Sequence, residues 1–245
     1  MCGRFVSSHS ADKIAQFFGA SFDGDAPELA ANYNVAPTQD VYGVVVDTNG
    51  DRQVQPFHWG LVPSWAKDVK IGSKMINARS ETIAEKPAFK GLLKKHRLII
   101  PMDGFYEWQQ ASPADGAIVP LTKAGKPVRT PMYIHRVDGQ PLAVAGLWAT
   151  WRDRAAGPDA GWLHSCTVIT TGANATMLPV HDRMPAVLPE AAWEEWLDPT
   201  NNDLDAVQHL LAPAPDELLT MYAVDTAVNN VRNHGAELIR RAPTA

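Results

Sequence analysis

The stretch VYGVVVDTNGDRQVQPFHW, residues 41 to 59, decides the fold class. Val41 to Val46 and Gln53 to Trp59 both read as extended, and Asp47-Thr48-Asn49-Gly50 between them is rich in turn formers, so the stretch predicts a β-hairpin. Extended segments recur downstream at Leu98 to Ile100, Gly104 to Trp108, Met132 to Val137, Leu142 to Thr150 and Cys166 to Thr170, with Asp138-Gly139 joining the third to the fourth. Helices are fewer. Ser10 is placed to cap one whose apolar face is Ile14, Phe17 and Phe18 and whose end is Gly19; Pro87 to His96 reads as a second with Phe89, Leu92 and Leu93 inward; later ones start near Pro189 and Asn202. Two stretches, residues 111 to 130 and 152 to 161, read as surface insertions, and the tail from 241 to 245 as flexible. No repeat or linker divides the chain. The expectation is α+β: a single domain over residues 1 to 245, built on a largely antiparallel, barrel-like β-sheet with flanking helices.

The bulk numbers exclude several classes. With 45% hydrophobic residues the 245-residue chain can bury a sizeable core, yet its longest apolar run, Leu142 to Ala149, is far too short to span a bilayer. Arg4 falls where a signal peptide would build its apolar segment, so neither export nor a membrane is expected. Two cysteines, Cys2 and Cys166, make no disulfide framework and lack zinc-site spacing; the reading is a cytoplasmic protein with no metal and no cofactor. The net charge of −5 weighs against nucleic acid at first sight. Its distribution does not: Lys67 to Arg97 holds nine of the 22 basic residues and three of the 27 acidic ones, a local +6 that leaves −11 for the rest. One basic face on an acidic body follows, with a solvated helix surface as the plain alternative.

Cys2 is the most informative position. Its small side chain, followed by Gly3, suits removal of Met1, which would leave an α-amine and a thiol on adjacent carbons. The amine titrates near ~7.7–8.0 and a thiol near ~8.5, so both keep a nucleophilic fraction at neutral pH. Together they suit an aldehyde: the amine forms a Schiff base and the sulfur then closes a five-membered thiazolidine on the same carbon. An internal cysteine cannot do this. Position alone favours the plainer reading, a small buried cysteine early in the chain.

The surrounding motifs weigh against that plainer role. Met1-Cys2-Gly3-Arg4-Phe5 resembles the opening of the SOS-response-associated peptidase (SRAP) family. The likeness continues in order through Tyr33-Asn34-Val35-Ala36-Pro37-Thr38, Trp59-Gly60-Leu61-Val62-Pro63-Ser64-Trp65, Ile76-Asn77-Ala78-Arg79-Ser80-Glu81-Thr82 and Asp103-Gly104-Phe105-Tyr106-Glu107-Trp108. Ala145-Gly146-Leu147-Trp148, His181-Asp182-Arg183-Met184-Pro185 and Val231 to Leu238 complete it. The resemblance implies an enzyme-like protein that crosslinks its N-terminal cysteine to abasic sites in single-stranded DNA, with lyase-like or self-peptidase chemistry that includes loss of Met1. It implies Cys2 as nucleophile, Asn77, Glu107 and His181 lining the reaction site, and Arg4, Asn34, Arg79 and Arg183 as DNA contacts. The partner would be abasic single-stranded DNA, bound by a monomer associated with the nucleoid.

These roles have physical grounds. Opening the closed hemiacetal of an abasic sugar needs proton transfer near neutrality, which suits His181; Glu107 suits proton exchange with the amine and carbinolamine; Asn77 orients the sugar without changing charge. Arg4 and Arg79 are forked donors matched to phosphate. Trp65, beside Lys67 and Lys70 in a proline-bracketed loop, suits stacking on a base. Gln109 stands where the family often has lysine, and Cys166, in an apolar strand, reads as packing. Two other readings stay open: an N-terminal-nucleophile amidohydrolase, since class II glutamine amidotransferases also begin Met-Cys-Gly, and a noncovalent single-strand binding module in which Cys2 is incidental.

Overall fold

The computed structural model describes residues 2–24, 26–110, 121–122, 125, 127–157 and 159–243. Most of the proposed insertion at 111 to 130, part of that at 152 to 161, Met1 and the last two residues lie outside them. Among the described residues the strands run β1 (Phe5–Ser7), β2 (Ser21–Phe22), β3 (Asn32–Val35), β4 (Asp40–Val46), β5 (Arg52–Trp59), β6 (Asn77–Arg79), β7 (Arg97–Met102), β8 (Gly104–Gln110), β9 (Arg129–Arg136), β10 (Leu142–Trp151), β11 (Leu163–Gly172), β12 (Arg183–Pro185) and β13 (Leu219–Ala223). The α-helices are α1 (Ala11–Phe18), α2 (Pro87–Lys95), α3 (Trp193–Leu197) and α4 (Leu204–His209).

The predicted hairpin is β4–β5, paired about Val44 opposite Val54. Its turn is held by Asp47, whose Oδ1 accepts the amides of Asn49 and Asp51 at 2.8 and 3.0 Å, while Gly50 takes φ 90°, a left-handed conformation that glycine adopts without strain. From this hairpin a barrel grows. β5, β4, β7, β10 and β11 are successive neighbours, and a short parallel contact between β11 and β5, Ser165 with His58 and Cys166 with Trp59, closes the ring. The second sheet is antiparallel throughout, in the order β13-β9-β8-β1-β3. The α+β, largely antiparallel and barrel-like expectation therefore holds. The turn at Asp138-Gly139 is also present, but it carries the chain from one sheet to the other: β9 pairs with β8 and β13, β10 with β7 and β11.

Barrel strands are buried on both faces, which explains their nearly continuous apolar runs. Along β4, Tyr42 and Val44 pack with Ile14, Phe18, Leu93, Trp193 and Trp196 under the helices, whereas Val41 and Val45 pack with Phe5, Phe57, Trp59, Phe105 and Cys166 toward the second sheet. Helix α1 ends at Gly19 in the left-handed conformation, φ 58°, as its sequence predicts; Ser10 supplies its carbonyl to the amide of Ile14 at 3.1 Å, but makes no side-chain cap bond among the described residues.

Residues 60 to 76 form a strap between β5 and β6. Its base is pinned by the Gly60 amide on the carbonyl of Cys166 at 2.9 Å and the Leu61 amide on that of Met75 at 3.1 Å. The backbones of Gly60 and Gly72 touch there: a Cβ on Gly72 would lie 2.5 Å from the Gly60 oxygen, and Gly60 sits at φ 138°. No other residue type fits either place.

Candidate functional site

Strand β1 brings Cys2 into the molecule. Phe5 pairs with Phe105 and Val6 with Gly104, and the amide of Tyr106 donates to the carbonyl of Arg4 at 3.0 Å. Carried on along the two strands, this register sets Gly3 opposite Glu107 and Cys2 beside it. Side chains alternate along β8, so Phe105 and Glu107 face the cluster that holds Cys2, while Tyr106 faces the other way. Cys2 is 1% exposed and Glu107 5%. Burial, and after it the negative charge of Glu107, pushes the Cys2 thiol far above the usual thiol range. Cys166 is also buried and its thiol is raised chiefly by burial, consistent with a packing role.

Asn77 reaches Cys2 from the other sheet. Its strand β6 is held parallel to β11, with Asn77 opposite Val168 and Arg79 opposite Thr170, and its Nδ2 donates to the Cys2 carbonyl at 2.8 Å. The indole of Trp59 donates to the carbonyl of Ile76 at 3.0 Å, fixing the residue just before it. Asn77 Oδ1 is buried without a hydrogen-bond partner among the described residues. Such an acceptor is costly unless a ligand meets it.

Two residues along β6, exposed Arg79 belongs to a cleft that it lines with Glu81, Thr82, His181, Asp182 and Arg183. The cleft measures about 560 Å³. Arg183 stands in β12 on the other side of β11; its guanidinium pairs with Glu81 through both nitrogens and donates to the carbonyl of Thr170 at 2.6 Å. This pair ties β12 to the segment after β6 and so gives the cleft its shape. It keeps the Glu81 carboxyl below the usual carboxylate range, mainly through the Arg183 hydrogen bonds. His181 precedes β12, half-buried, with Nδ1 3.0 Å from the amide of Arg183 and 2.8 Å from Asp182 Oδ1. When Nδ1 accepts the Arg183 amide, the neutral ring carries its proton on Nε2 and can donate from there.

Arg4 and Asn34 form a separate constellation. Arg4 Nη1 donates to Asn34 Oδ1 at 2.6 Å and to the carbonyl of Val228 at 3.0 Å, and its guanidinium lies 5.9 Å from the centroid of the Trp108 ring. Fully buried Asn34 turns its amide nitrogen to the carbonyls of Val228, Asn230 and Asn233 at 3.0 to 3.2 Å. Both side chains hold the loop from 228 to 233 against β1 and β3. Trp65, 63% exposed, stands at the tip of the strap beside a groove with Pro87, Gly91, Leu92 and His96.

The structure thus gathers Cys2, Asn77 and Glu107 in one place, puts Arg79, His181 and Arg183 in a cleft reached along β6, and leaves Arg4 with Asn34, and Trp65, elsewhere. Sequence reasoning missed Glu81, whose only signal was its place in the motif that contains Arg79, and Trp59. Of the nine basic residues between 67 and 97, eight are exposed; Arg97 is 3% exposed and donates to the carbonyls of Leu93 and Lys94 at 2.6 and 2.9 Å. Among the described residues no helix is long and apolar enough to cross a membrane, and no group of three or more His, Cys, Asp or Glu is arranged to hold a metal ion.

A cysteine held just ahead of β1, between a barrel and an antiparallel sheet, comes with a match of residues 1–231 to the model of the family described as SOS response associated peptidase (SRAP). The chain belongs to that family. Among its relatives, abasic site processing protein YoqW of Bacillus subtilis strain 168 is 39% identical over 98% of this chain and 99% of its own. Abasic site processing protein YedK of Escherichia coli K12 is 30% identical over 98% and 99%, and abasic site processing protein HMCES of Xenopus tropicalis is 33% identical over 88% and 67%. A crystal structure of a protein from Bacteroides thetaiotaomicron superposes with a TM-score of 0.80 at 25% identity, covering 99% of this chain and all of the other.

Proposed function

We propose that this protein processes abasic sites in DNA, capturing them in single strands as a covalent adduct of Cys2 after Met1 is removed. The observation that carries the reading is the hydrogen bond from Asn77 to the Cys2 carbonyl beside buried Glu107, in a chain whose family relatives bear the name abasic site processing protein.

The chemistry runs in a fixed order. The protonated His181 ring gives its Nε2 proton to the ring oxygen of the abasic sugar as the C1′–O4′ bond breaks, and the C1′ hydroxyl gives up its own proton to water, which leaves the open aldehyde and lets His181 be reprotonated from solvent. The neutral α-amine of Cys2 attacks the aldehyde carbon, and the carbinolamine loses water to give an imine. Only then does the sulfur react. Because burial holds the thiol protonated, it adds as S–H across the C=N bond: sulfur bonds to carbon, and its proton travels by way of Glu107 to nitrogen, closing the thiazolidine. Asn77 fixes the Cys2 backbone and offers Oδ1 to the amine or to a sugar hydroxyl. Arg79 and Arg183 meet phosphates in the cleft, while Arg4 and Asn34 serve DNA through the loop from 228 to 233. The partner is single-stranded DNA, bound by a monomer in the cytoplasm at the nucleoid. Peptidase character is confined to loss of the chain's own Met1.

The test is a denaturing gel of the protein with matched single strands, intact or carrying one abasic site. A band resistant to denaturation should form on the abasic strand alone, vanish in Cys2→Ala and persist in Cys166→Ala. An adduct retained by Cys2→Ala would overturn the mechanism.

A further inference from the structure

Two of the eight tryptophans are exposed, Trp65 at 63% and Trp162 at 64%. Trp162 belongs to the stretch between β10 and β11, for which nothing above provides a role. The two residues meet the same point of the framework. Trp151, the last residue of β10, donates its indole N–H to the carbonyl of Ala66 at 2.8 Å and pairs with Leu163, the first of β11. Trp65 and Trp162 are therefore the immediate chain neighbours of residues joined through Trp151.

Strand β11 also serves as a ruler. Thr170 stands opposite Arg79, Val168 opposite Asn77, Cys166 opposite Trp59, Ser165 bonds the amide of Val62 at 2.9 Å, and Leu163 lies beside Trp162. Seven residues at about 3.3 Å each put the tryptophan end roughly 23 Å from Arg79 along this strand. The strap between them carries exposed Lys67, Lys70 and Lys74. Roughly seven nucleotides stacked at 3.4 Å cover that length. Arg152 places its guanidinium 5.1 Å from the Trp162 ring centroid, over one face, and most of the ring remains in solvent. An indole backed on one face by a cation and exposed on the other offers that open face as a stacking surface.

We infer that Trp162, backed by Arg152, is a second stacking station for single-stranded DNA, several nucleotides from the reaction site along the track of Arg79, the strap lysines and Trp65. The inference rests on the proposed function. Its test measures affinity for undamaged thymidine strands of about 5 and about 15 nucleotides, the longer alone able to reach both ends. The unmutated protein should bind the longer strand more tightly; Trp162→Ala should lose about tenfold on it, and Trp162→Phe should retain the gain. Since Trp162 is exposed, thermal unfolding should be unchanged in both variants. If Trp162→Ala keeps the full length-dependent gain, the second station is wrong while the proposed function stands. If the unmutated protein binds neither strand, both readings fail.

Discussion

The Asn77 amide nitrogen lies 2.8 Å from the carbonyl oxygen of Cys2, spanning the two sheets with one hydrogen bond. It is a positional constraint on the proposed nucleophile. Asn77→Asp keeps the shape, removes the donor and sets a second carboxylate near Glu107. Single-turnover adduct formation should slow at least tenfold, and stability should fall by about 2–3 kcal/mol, because the Cys2 carbonyl loses its donor and a carboxylate takes the place of a half-buried amide. Equal rates for the variant and the unmutated protein would show that Cys2 needs no such tether.

Asn34 is predicted to matter chiefly to stability. Its amide nitrogen serves three buried or half-buried carbonyls, so Asn34→Ala leaves those acceptors without it and should cost about 2–3 kcal/mol in urea unfolding. Under saturating DNA its rate of adduct formation should stay within a few-fold of normal. A stability change near zero would refute the structural assignment.

Exposed Arg79 should behave in the opposite way. Arg79→Ala is expected to leave the unfolding midpoint in place, to weaken binding of undamaged single strands, and to reduce the slope of log affinity against log salt by about one. An unaltered salt slope would remove Arg79 from the phosphate contacts.

Alkaline pH should destabilise the fold. The thiols of Cys2 and Cys166 and the phenols of Tyr106 and Tyr133 are all shifted upward, chiefly by burial. Below their ordinary values the folded and unfolded chains hold the same protons. As pH rises past ~8.5, and again past ~10, the unfolded chain releases protons that the folded one retains, so stability declines. The urea midpoint should be level from pH 7 to 8 and drop progressively to pH 10, less steeply in Cys166→Ala. A midpoint constant up to pH 10 would contradict the burial of these groups.

In the proposed mechanism Glu107 and His181 divide two proton transfers. His181→Ala should slow adduct formation, and a substrate whose aldehyde is already open should largely restore it. Glu107→Gln should remain slow with that substrate and, by microscopic reversibility, should also slow release of a formed adduct. Single-turnover formation and trap-chase release distinguish them; unchanged rates in both directions for Glu107→Gln would make Glu107 structural.

Much of the framework was legible because its signals are local. The β4–β5 hairpin announced itself through its turn residues, and α1 through its periodicity and Gly19. The strands β6 and β12 were not, since three residues carry no period of their own; each is a strand only because β11 offers it an edge. Ring closure rests on two residue pairs distant in sequence, and the turn at Asp138-Gly139 looks the same whether it joins strands of one sheet or of two. For the site, the motifs singled out Cys2, Asn77, Glu107 and His181 as candidates, but composition could not tell exposed Arg79 from buried Arg97. That difference depends on which carbonyls the folded chain turns toward a guanidinium.

The contact between Gly60 and Gly72 separates what can vary from what cannot. Below it, the chain is clamped to β11 and leads directly into Asn77, so movement there would be felt at Cys2. Above it, the tip that carries Trp65, Lys67 and Lys70 is anchored at its foot like an interchangeable cassette. Under the proposed function, substitutions at the tip can therefore retune which strands the protein prefers without disturbing the geometry of bond formation, whereas even a single methyl group at either glycine would shift both at once.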